Sequence, residues 1–562
     1  MPTSITQNNI QNAVDDYPSS SSTYGAISDW DTSNVTDMSG LFLDKVDFNQ
    51  PIGNWNVENV TNMESMFNNA NSFNQDISGW DVSKVSNMKK MFWNAKAFNQ
   101  PIGKWNVSNV ENMSEMFRES PFNQDISGWN VSNVTNMSGM FRESPFNQPI
   151  GDWNVENVVN TSGMFRGNTY TYSYKTLFNQ DISGWDMSKV TDMREMFYCS
   201  CFNQPIGDWI VENVVYMNYL FAHSNFNQHI GEWNVSKVVY MVAMFRDTSF
   251  NHPIGNWTIS STTNMDWMFS YSSFNQPIGG WDVTSVAGMN SMFKNTTDFN
   301  KDISEWNVSN VDNMNYMFNG AISFNQDISG WNVSNVNHMD YMFNGAIAFN
   351  QNLSSWDVEH LPNPYQFNTN ANQDWVNNIA FQPIWATMFP ICFMQGTFVH
   401  TDQGNIEIQN IIPGKHTIGK KTICHITKTI SPEKQLVLVQ KNAFGKNKPN
   451  NSITMSGNHC VMGENGQLTP VKYLVSSYSK IKYVDYHQEP LYNVLMEDHN
   501  VIKVQNIKVE SLDPENIIAK LYHSTLHKKT VKKYIQQMNE GIMENNREKY
   551  ITAEHAIRSI AF

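Results

Sequence analysis

An α/β solenoid of about fourteen strand–turn–short-helix repeats, followed by a mainly β domain and a helical C-terminal tail, is the fold this 562-residue sequence predicts. Three observations predict it. Trp returns at a fixed interval from Trp30 to Trp356, and a fixed interval in this range marks stacked repeats. Beyond Trp356 the interval stops, Lys and Ile rise, and Trp385 is the last Trp of the chain. Near the end, apolar residues recur at helical spacing. The expected segments are a flexible N-terminus at 1–23, the array at 24–361, a linker at 362–390, the β domain at 391–512 and the helical tail at 513–562.

The repeat is 24 or 25 residues long, except for 32 between Trp153 and Trp185, where a polar insertion surrounds Tyr170, Tyr172 and Tyr174. The unit at 48–67 shows the internal logic. Trp55 and Val57 alternate with polar residues, which is strand spacing. Met63, Met66 and Phe67 stand at i, i+3 and i+4, which predicts one face of a short helix with Thr61 or Asn62 as its N-cap. Pro51 and Gly53 predict the turn. One unit cannot bury its own apolar face, whereas stacked copies can, Trp over Trp and Ile52 over Ile77. The recurring Phe-Asn-Gln (48–50, 73–75, 98–100) predicts an Asn ladder that satisfies turn backbone. The variable pairs Glu58-Asn59, Ser83-Lys84, Glu64-Ser65 and Lys89-Lys90 predict the exposed surface, where a protein partner would bind.

Charge divides the chain. Residues 1–371 hold 16 Lys+Arg against 36 Asp+Glu, and residues 372–562 hold 21 against 16. An acidic array repels phosphate backbones, so nucleic acid is not an expected partner. Five Cys (199, 201, 392, 424, 460) are too few and too oddly numbered for a disulfide framework. No signal peptide and no run of about 18 apolar residues is visible, so a cytoplasmic or virion-associated location is expected over classical secretion. The repeats carry no phosphate-cradling loop, recurring catalytic pair or metal spacing, so no small-molecule chemistry, cofactor or metal is expected. His425, His487 and His499 match no zinc pattern, and Cys424 and Cys460 read as core thiols.

In the second domain, Ile406–Ile412, Thr422–Ile430, Gln435–Gln440 and Tyr492–Leu495 read as strands. Asp513 and Pro514 predict a helix start, followed by Ile517, Ile518, Leu521, Tyr522, Val531, Tyr534, Ile535 and Met538 at helical spacing.

The repeat motif Trp-x-Val-Ser-x-Val-Thr-x-Met-x-x-Met-Phe, then Phe-Asn-Gln-x-Ile, resembles that of the BspA-like (mycoplasma surface-lipoprotein) family over about residues 24–361. That resemblance implies a leucine-rich-repeat relative, with mostly surface or adhesion roles; similar arrays occur in large-virus proteins. Unlike the surface members of that family, this chain is not expected to carry a signal peptide or lipoprotein Cys. Residues 391–512 resemble the Hint fold of hedgehog C-terminal domains and inteins. The matching residues are Cys392-Phe393 with Gly396-Thr397, Ser456-Gly457-Asn458-His459, and Leu491-Tyr492-Asn493-Val494 with His499.

The resemblance implies that Cys392 attacks the carbonyl of Ile391, that His459 protonates the departing nitrogen, and that Ser456 polarises the Ile391–Cys392 peptide. The departures bear on the outcome. Glu510-Ser511 replaces the His-Asn that ends an intein, so C-terminal splicing is not expected. Lys415 replaces an Asp, and no counterpart of the sterol-transfer Asp is found, so sterol attachment is not expected. The alternative is a structural or adhesion-type repeat protein with an inert β domain, in which Cys392 is a buried small hydrophobe.

Overall fold

The computed structural model describes residues 4–168, 175–358, 361, 364–383, 385, 392–431, 435–457, 459–462, 468–475, 477–497, 501–511 and 528–543. The insertion at 170–174, Ile391, Asn458, His499 and the helical positions Ile517, Ile518, Leu521 and Tyr522 lie outside them. The chain divides into two units, one comprising Met1–Leu353 with Pro364–Asn377, the other Ser354–Asn363 with Asn378–Phe562.

The first unit is a stack of coils. Each coil turns the predicted apolar set inward: Ile52, Trp55, Val57, Val60, Met63, Met66, Phe67 and Phe73 are all 3% exposed or less. Trp rings stack on Trp rings, 6.0 Å apart for Trp30–Trp55 and 6.5 Å for Trp80–Trp105. From Trp30 to Trp331 the indole N–H of each stacked Trp also donates to a backbone carbonyl. Trp55 Nε1 donates to the carbonyl of Ile27 at 2.8 Å, and Trp331 Nε1 to that of Ile303 at 3.1 Å. Phe67 packs on Phe92 of the next coil at 5.5 Å and on Phe73 of its own at 4.0 Å.

The local conformation corrects the sequence reading. No strand runs through Trp55–Val57 and no helix through Met63–Phe67; the described part of a coil is a chain of turns, so the leucine-rich-repeat-like unit is absent there. Backbone hydrogen bonding accounts for this. The N–H groups of Met63, Ser65, Phe67 and Asn69 donate to Asn87, Lys89, Met91 and Trp93 of the next coil at 2.8–2.9 Å. Met66, Asn68 and Ala70 donate instead to the residues three before them, Met63, Ser65 and Phe67, at 3.1–3.2 Å. Alternate donors are thus spent between coils, and an α-helix would need all of them within one segment. Ser65 and Asn69 take left-handed backbone, at φ 57° and 60°. Inward spacing of i, i+3 and i+4 is therefore met by consecutive turns.

Asn62, expected to cap a helix, accepts the N–H of Glu64 at 3.1 Å, the same cap-like bond in a two-residue turn. Parallel bridges run from Asp37↔Asn62 to Asn313↔His338, one residue before the first inward Met, a place that Thr161 takes in its coil.

The Asn ladder is present. Asn49 Oδ1 accepts from Asn74 N at 3.0 Å and from Gln75 Nε2 at 2.9 Å, and the pattern recurs at Asn325 with Asn350 and Gln351. Gly53 is demanded by close approach: a Cβ there would lie 2.5 Å from the Asp76 carbonyl oxygen of the next coil. Glu64 and Lys89, among the expected surface residues, form an ion pair between coils at 3.1 Å.

Both ends of the stack are covered, as an array with open backbone edges requires. Residues 1–23 were expected to be flexible, yet Ile10–Asp15 is helical and buries Ile10, Ala13 and Val14. Gln7 Oε1 accepts the N–H groups of Thr36 at 3.0 Å and Asp37 at 2.9 Å. At the other end the coil ladder runs on past 361 into the expected linker. Tyr341, Phe343 and Gly345 donate to Tyr365, Phe367 and Thr369 at 2.8–2.9 Å. A helix at Gln373–Asn377 then lays the fully buried Trp375 against Phe349 at 4.8 Å.

The β domain holds two antiparallel sheets among the described residues. One has the order β10-β6-β7-β1-β11-β5-β4. Its members are β1 (Phe393–Met394), β4 (Thr417–Ile418), β5 (Lys421–Thr429), β6 (Gln435–Val439), β7 (Ile453–Met455), β10 (Ile481–Asp485) and β11 (Leu491–Met496). The other has the order β3-β2-β12-β13-β8-β9. It contains β2 (Phe398–Thr401), β3 (Gly404–Glu407), β8 (Cys460–Met462), β9 (Leu468–Pro470), β12 (Val501–Val504) and β13 (Ile507–Glu510). Phe393, Val399, Ile408, Val437, Met455, Val494 and Val509 form their common core. The tail helix is described at Lys528–Met543, where Asn539 Oδ1 accepts from Thr429 Oγ1 at 3.1 Å.

Candidate functional site

The strand order brings together residues that lie far apart in the chain. β1 lies between β7 and β11, with Phe393 opposite Met455 on one side and Tyr492 on the other. Continuing each register by one residue sets Cys392 level with Ser456 and Asn493. β5 flanks β11 with Thr427 opposite Asn493. Directly opposed residues of antiparallel strands share a face. Thr427, Asn493, Cys392 and Ser456 therefore form one row across four strands, at 0%, 0%, 0% and 2% exposure.

Cys392 and Ser456 are joined twice. The Cys392 N–H donates to Ser456 Oγ at 3.1 Å, and the Ser456 N–H donates to the Cys392 carbonyl at 3.0 Å. The first bond grips the nitrogen of the Ile391–Cys392 peptide; the second fixes Ser456 so that it can. A turn follows in which the His459 N–H donates to the Ser456 carbonyl at 3.1 Å, and the Val471 N–H to the His459 carbonyl at 2.9 Å. The imidazole is wholly buried and packs on Phe393 with ring centroids 4.0 Å apart. Around the thiol lie Leu436, Leu491 and Tyr486, which form an apolar wall.

All three residues expected to carry the chemistry thus fall in one buried place. The sequence reading missed Thr427, whose buried Oγ1 has no hydrogen-bond partner among the described residues, and it left Asn493 inside a motif without a role. The available signal was a Thr within the otherwise strand-like Thr422–Ile430. Cys424 and Cys460 are only partly buried, so the core-thiol reading does not describe them. Cys424 stands one strand position from the His425–Leu495 pair, and burial pushes its thiol pKa up, with Glu497 adding to the shift. Among the described residues no group of three or more His, Cys, Asp or Glu is placed to hold a metal ion, and no helix is long and apolar enough to cross a membrane.

Stacked coils of one repeating motif, together with a two-sheet domain that opens on a Cys held by a Ser-x-x-His turn, define a tandem-repeat protein fused to a Hint domain. The chain belongs to the family described as Mycoplasma protein of unknown function, DUF285, the BspA-like repeats, which matches residues 8–121, 103–173, 168–276 and 270–379. The Hint domain family matches residues 391–516. The first match extends the array to both sides of 24–361, in keeping with the covered ends of the stack. No curated protein and no solved structure matches the chain.

Proposed function

We propose that the repeat array is a protein-interaction scaffold, and that the Hint domain detaches it by one self-cleavage at Ile391–Cys392 without C-terminal splicing. The carrying observation is the hydrogen bond from the Cys392 N–H to Ser456 Oγ. The Cys392 sulfur, after losing its proton, attacks the Ile391 carbonyl carbon. The C–N bond then breaks, and the Cys392 nitrogen leaves as an amine with a proton supplied by His459. The thiol proton is thereby balanced by the amine proton, and a thioester joins Ile391 to Cys392 Sγ. Water resolves it to a carboxylate and a thiol; an added thiol takes over the acyl group instead.

Complete burial of Cys392 favours the second reading, an inert domain in which the thiol only fills space. Dithiothreitol distinguishes the two. The first reading expects the purified full-length chain to yield a 391-residue and a 171-residue product, the larger one carrying a dithiothreitol thioester by mass spectrometry. A chain that stays whole after prolonged incubation sinks it. Ser456→Ala is expected to slow that cleavage and to lower stability by about 1–3 kcal/mol, because a buried N–H loses its acceptor. Ser456→Thr keeps the oxygen and is expected to cleave at close to the original rate, as followed on the same gel.

A further inference from the structure

One position of the coil is always left-handed, and its side chain stands over the following turn. Glu115, Glu195 and Tyr219 occupy it at φ 56–58°, but in the two coils between them it is Gly139 and Gly163, both at φ 61°. Two missing side chains in succession open a groove of about 460 Å³, bordered by Glu115, Arg118, Arg142, Arg194, Glu195 and Tyr219. That volume suits a small ligand or a peptide side chain.

Arg118, Arg142 and Arg166 follow the inward Phe in three successive coils. The outer two are held on several sides. Arg118 lies 4.8 Å from the Trp93 ring centroid, 2.7 Å from Glu115 Oε2 and 3.3 Å from Glu119 Oε1. Arg166 lies over Tyr198 at 4.9 Å and pairs with Glu195. Among the described residues the middle guanidinium has a single long contact, Nε to Glu143 Oε1 at 3.4 Å, and Glu143 also accepts from Asn168 Nδ2 at 2.9 Å. Burial, with Arg166 and Arg118 close by, holds the Arg142 pKa below its ordinary value. Such a group gains most from an added counter-charge.

We infer that Arg142, beneath the gap left by Gly139 and Gly163, is a carboxylate-binding site that receives an acidic side chain of a polypeptide partner. The inference rests on the scaffold reading of the array and names the chemistry of one of its sites. A planar guanidinium can receive a carboxylate through two parallel N–H bonds. Of the guanidiniums that border the groove, Arg118 is held by Glu115 and Glu119 and Arg194 by Asp192 at 2.6 Å, so Arg142, with its one 3.4 Å contact to Glu143, is the most weakly paired of them among the described residues. A monoanion balances its charge, whereas a phosphate group carries roughly 1.5–2 negative charges at neutral pH and would face Glu115 and Glu195 with the excess.

The test uses the full-length chain and two fluorescein-labelled Gly–Ser peptides, one bearing two Glu residues and its copy bearing two Gln, with binding read by anisotropy at low salt. The Glu peptide should bind roughly tenfold more tightly or better than the Gln copy. Arg142→Gln should remove that preference, and so should Gly163→Glu, which supplies the side chain that Glu115 and Glu195 carry in the same backbone conformation. Arg246→Gln, outside the groove, should not alter it. Circular dichroism checks that each variant is folded. Preference that survives both groove variants overturns the site while the scaffold reading stands. Absence of binding by either peptide overturns the carboxylate chemistry, as does displacement of the peptide by inorganic phosphate at lower concentration than by acetate.

Discussion

A chain carrying Cys392→Ala is expected to stay whole in dithiothreitol under conditions that split the unaltered chain. The substitution removes the only atom that can form the thioester and leaves the surrounding geometry in place. Cys392 is fully buried, Ala is smaller, and the Cys392 N–H to Ser456 Oγ bond is made by backbone that Ala also has. Cys392→Ser replaces sulfur with a poorer nucleophile and should cleave more slowly, through an oxygen ester. His459→Ala tests the proton donor. A positioned general acid typically contributes 10²–10⁴-fold, so cleavage should slow by about that factor. The packing of the imidazole on Phe393 is lost as well, so near-ultraviolet circular dichroism must show the aromatic environment retained before the rate is read. If Cys392→Ala splits as fast as the unaltered chain, the cut is made by a contaminating protease and the autoprocessing reading is wrong.

The second large effect lies in the array. Trp209 sits between Trp185 and Trp233, with ring centroids 6.5 and 6.4 Å away, and its Nε1 donates to the Ile182 carbonyl at 3.1 Å. It is 3% exposed. Trp209→Ala removes a whole ring from a close-packed stack and should cost about 3–5 kcal/mol. Each coil rests only on its neighbours, so the loss acts on the coils around it and divides the array into two weakly joined halves. Hydrogen exchange should show faster opening centred on residues 182–233, and the denaturant midpoint should fall. Trp209→Phe separates two contributions: it keeps an aromatic ring but removes the indole N–H from the Ile182 carbonyl, which still accepts the Trp185 N–H, so the hydrogen-bond part should cost about 0.5–1.5 kcal/mol. An unchanged midpoint for Trp209→Ala would show that the Trp stack does not hold the coils together.

Much of this architecture can be read from the residues alone. Trp spacing located every coil from Trp30 to Trp356, and the inward set Ile52, Trp55, Val57, Met63, Met66 and Phe67 is the buried set. Phe-Asn-Gln implied the Asn ladder, and Cys392, Ser456 and His459 fall together in one buried place. The errors have physical causes. Asn62 makes the same bond at the start of a turn as at the start of a helix. Met63, Met66 and Phe67 face inward under either conformation. Gln7 and Trp375, which close the two ends, lie in segments whose composition resembles loops.

The sequence by itself determined which side chains face inward, because burial follows apolar period whatever the backbone does between those residues. It also determined where one kind of chain gives way to another. Only the tertiary structure decided the conformation of the coil and the company of Cys392. The destination of the Ser65 and Phe67 N–H groups is another coil, and left-handed backbone at Ser65 and Asn69, which costs roughly 1–2 kcal/mol per residue, is held by those inter-coil bonds. Asn493 and Thr427 join Cys392 only through strand register, a relation between segments that no local run of residues encodes.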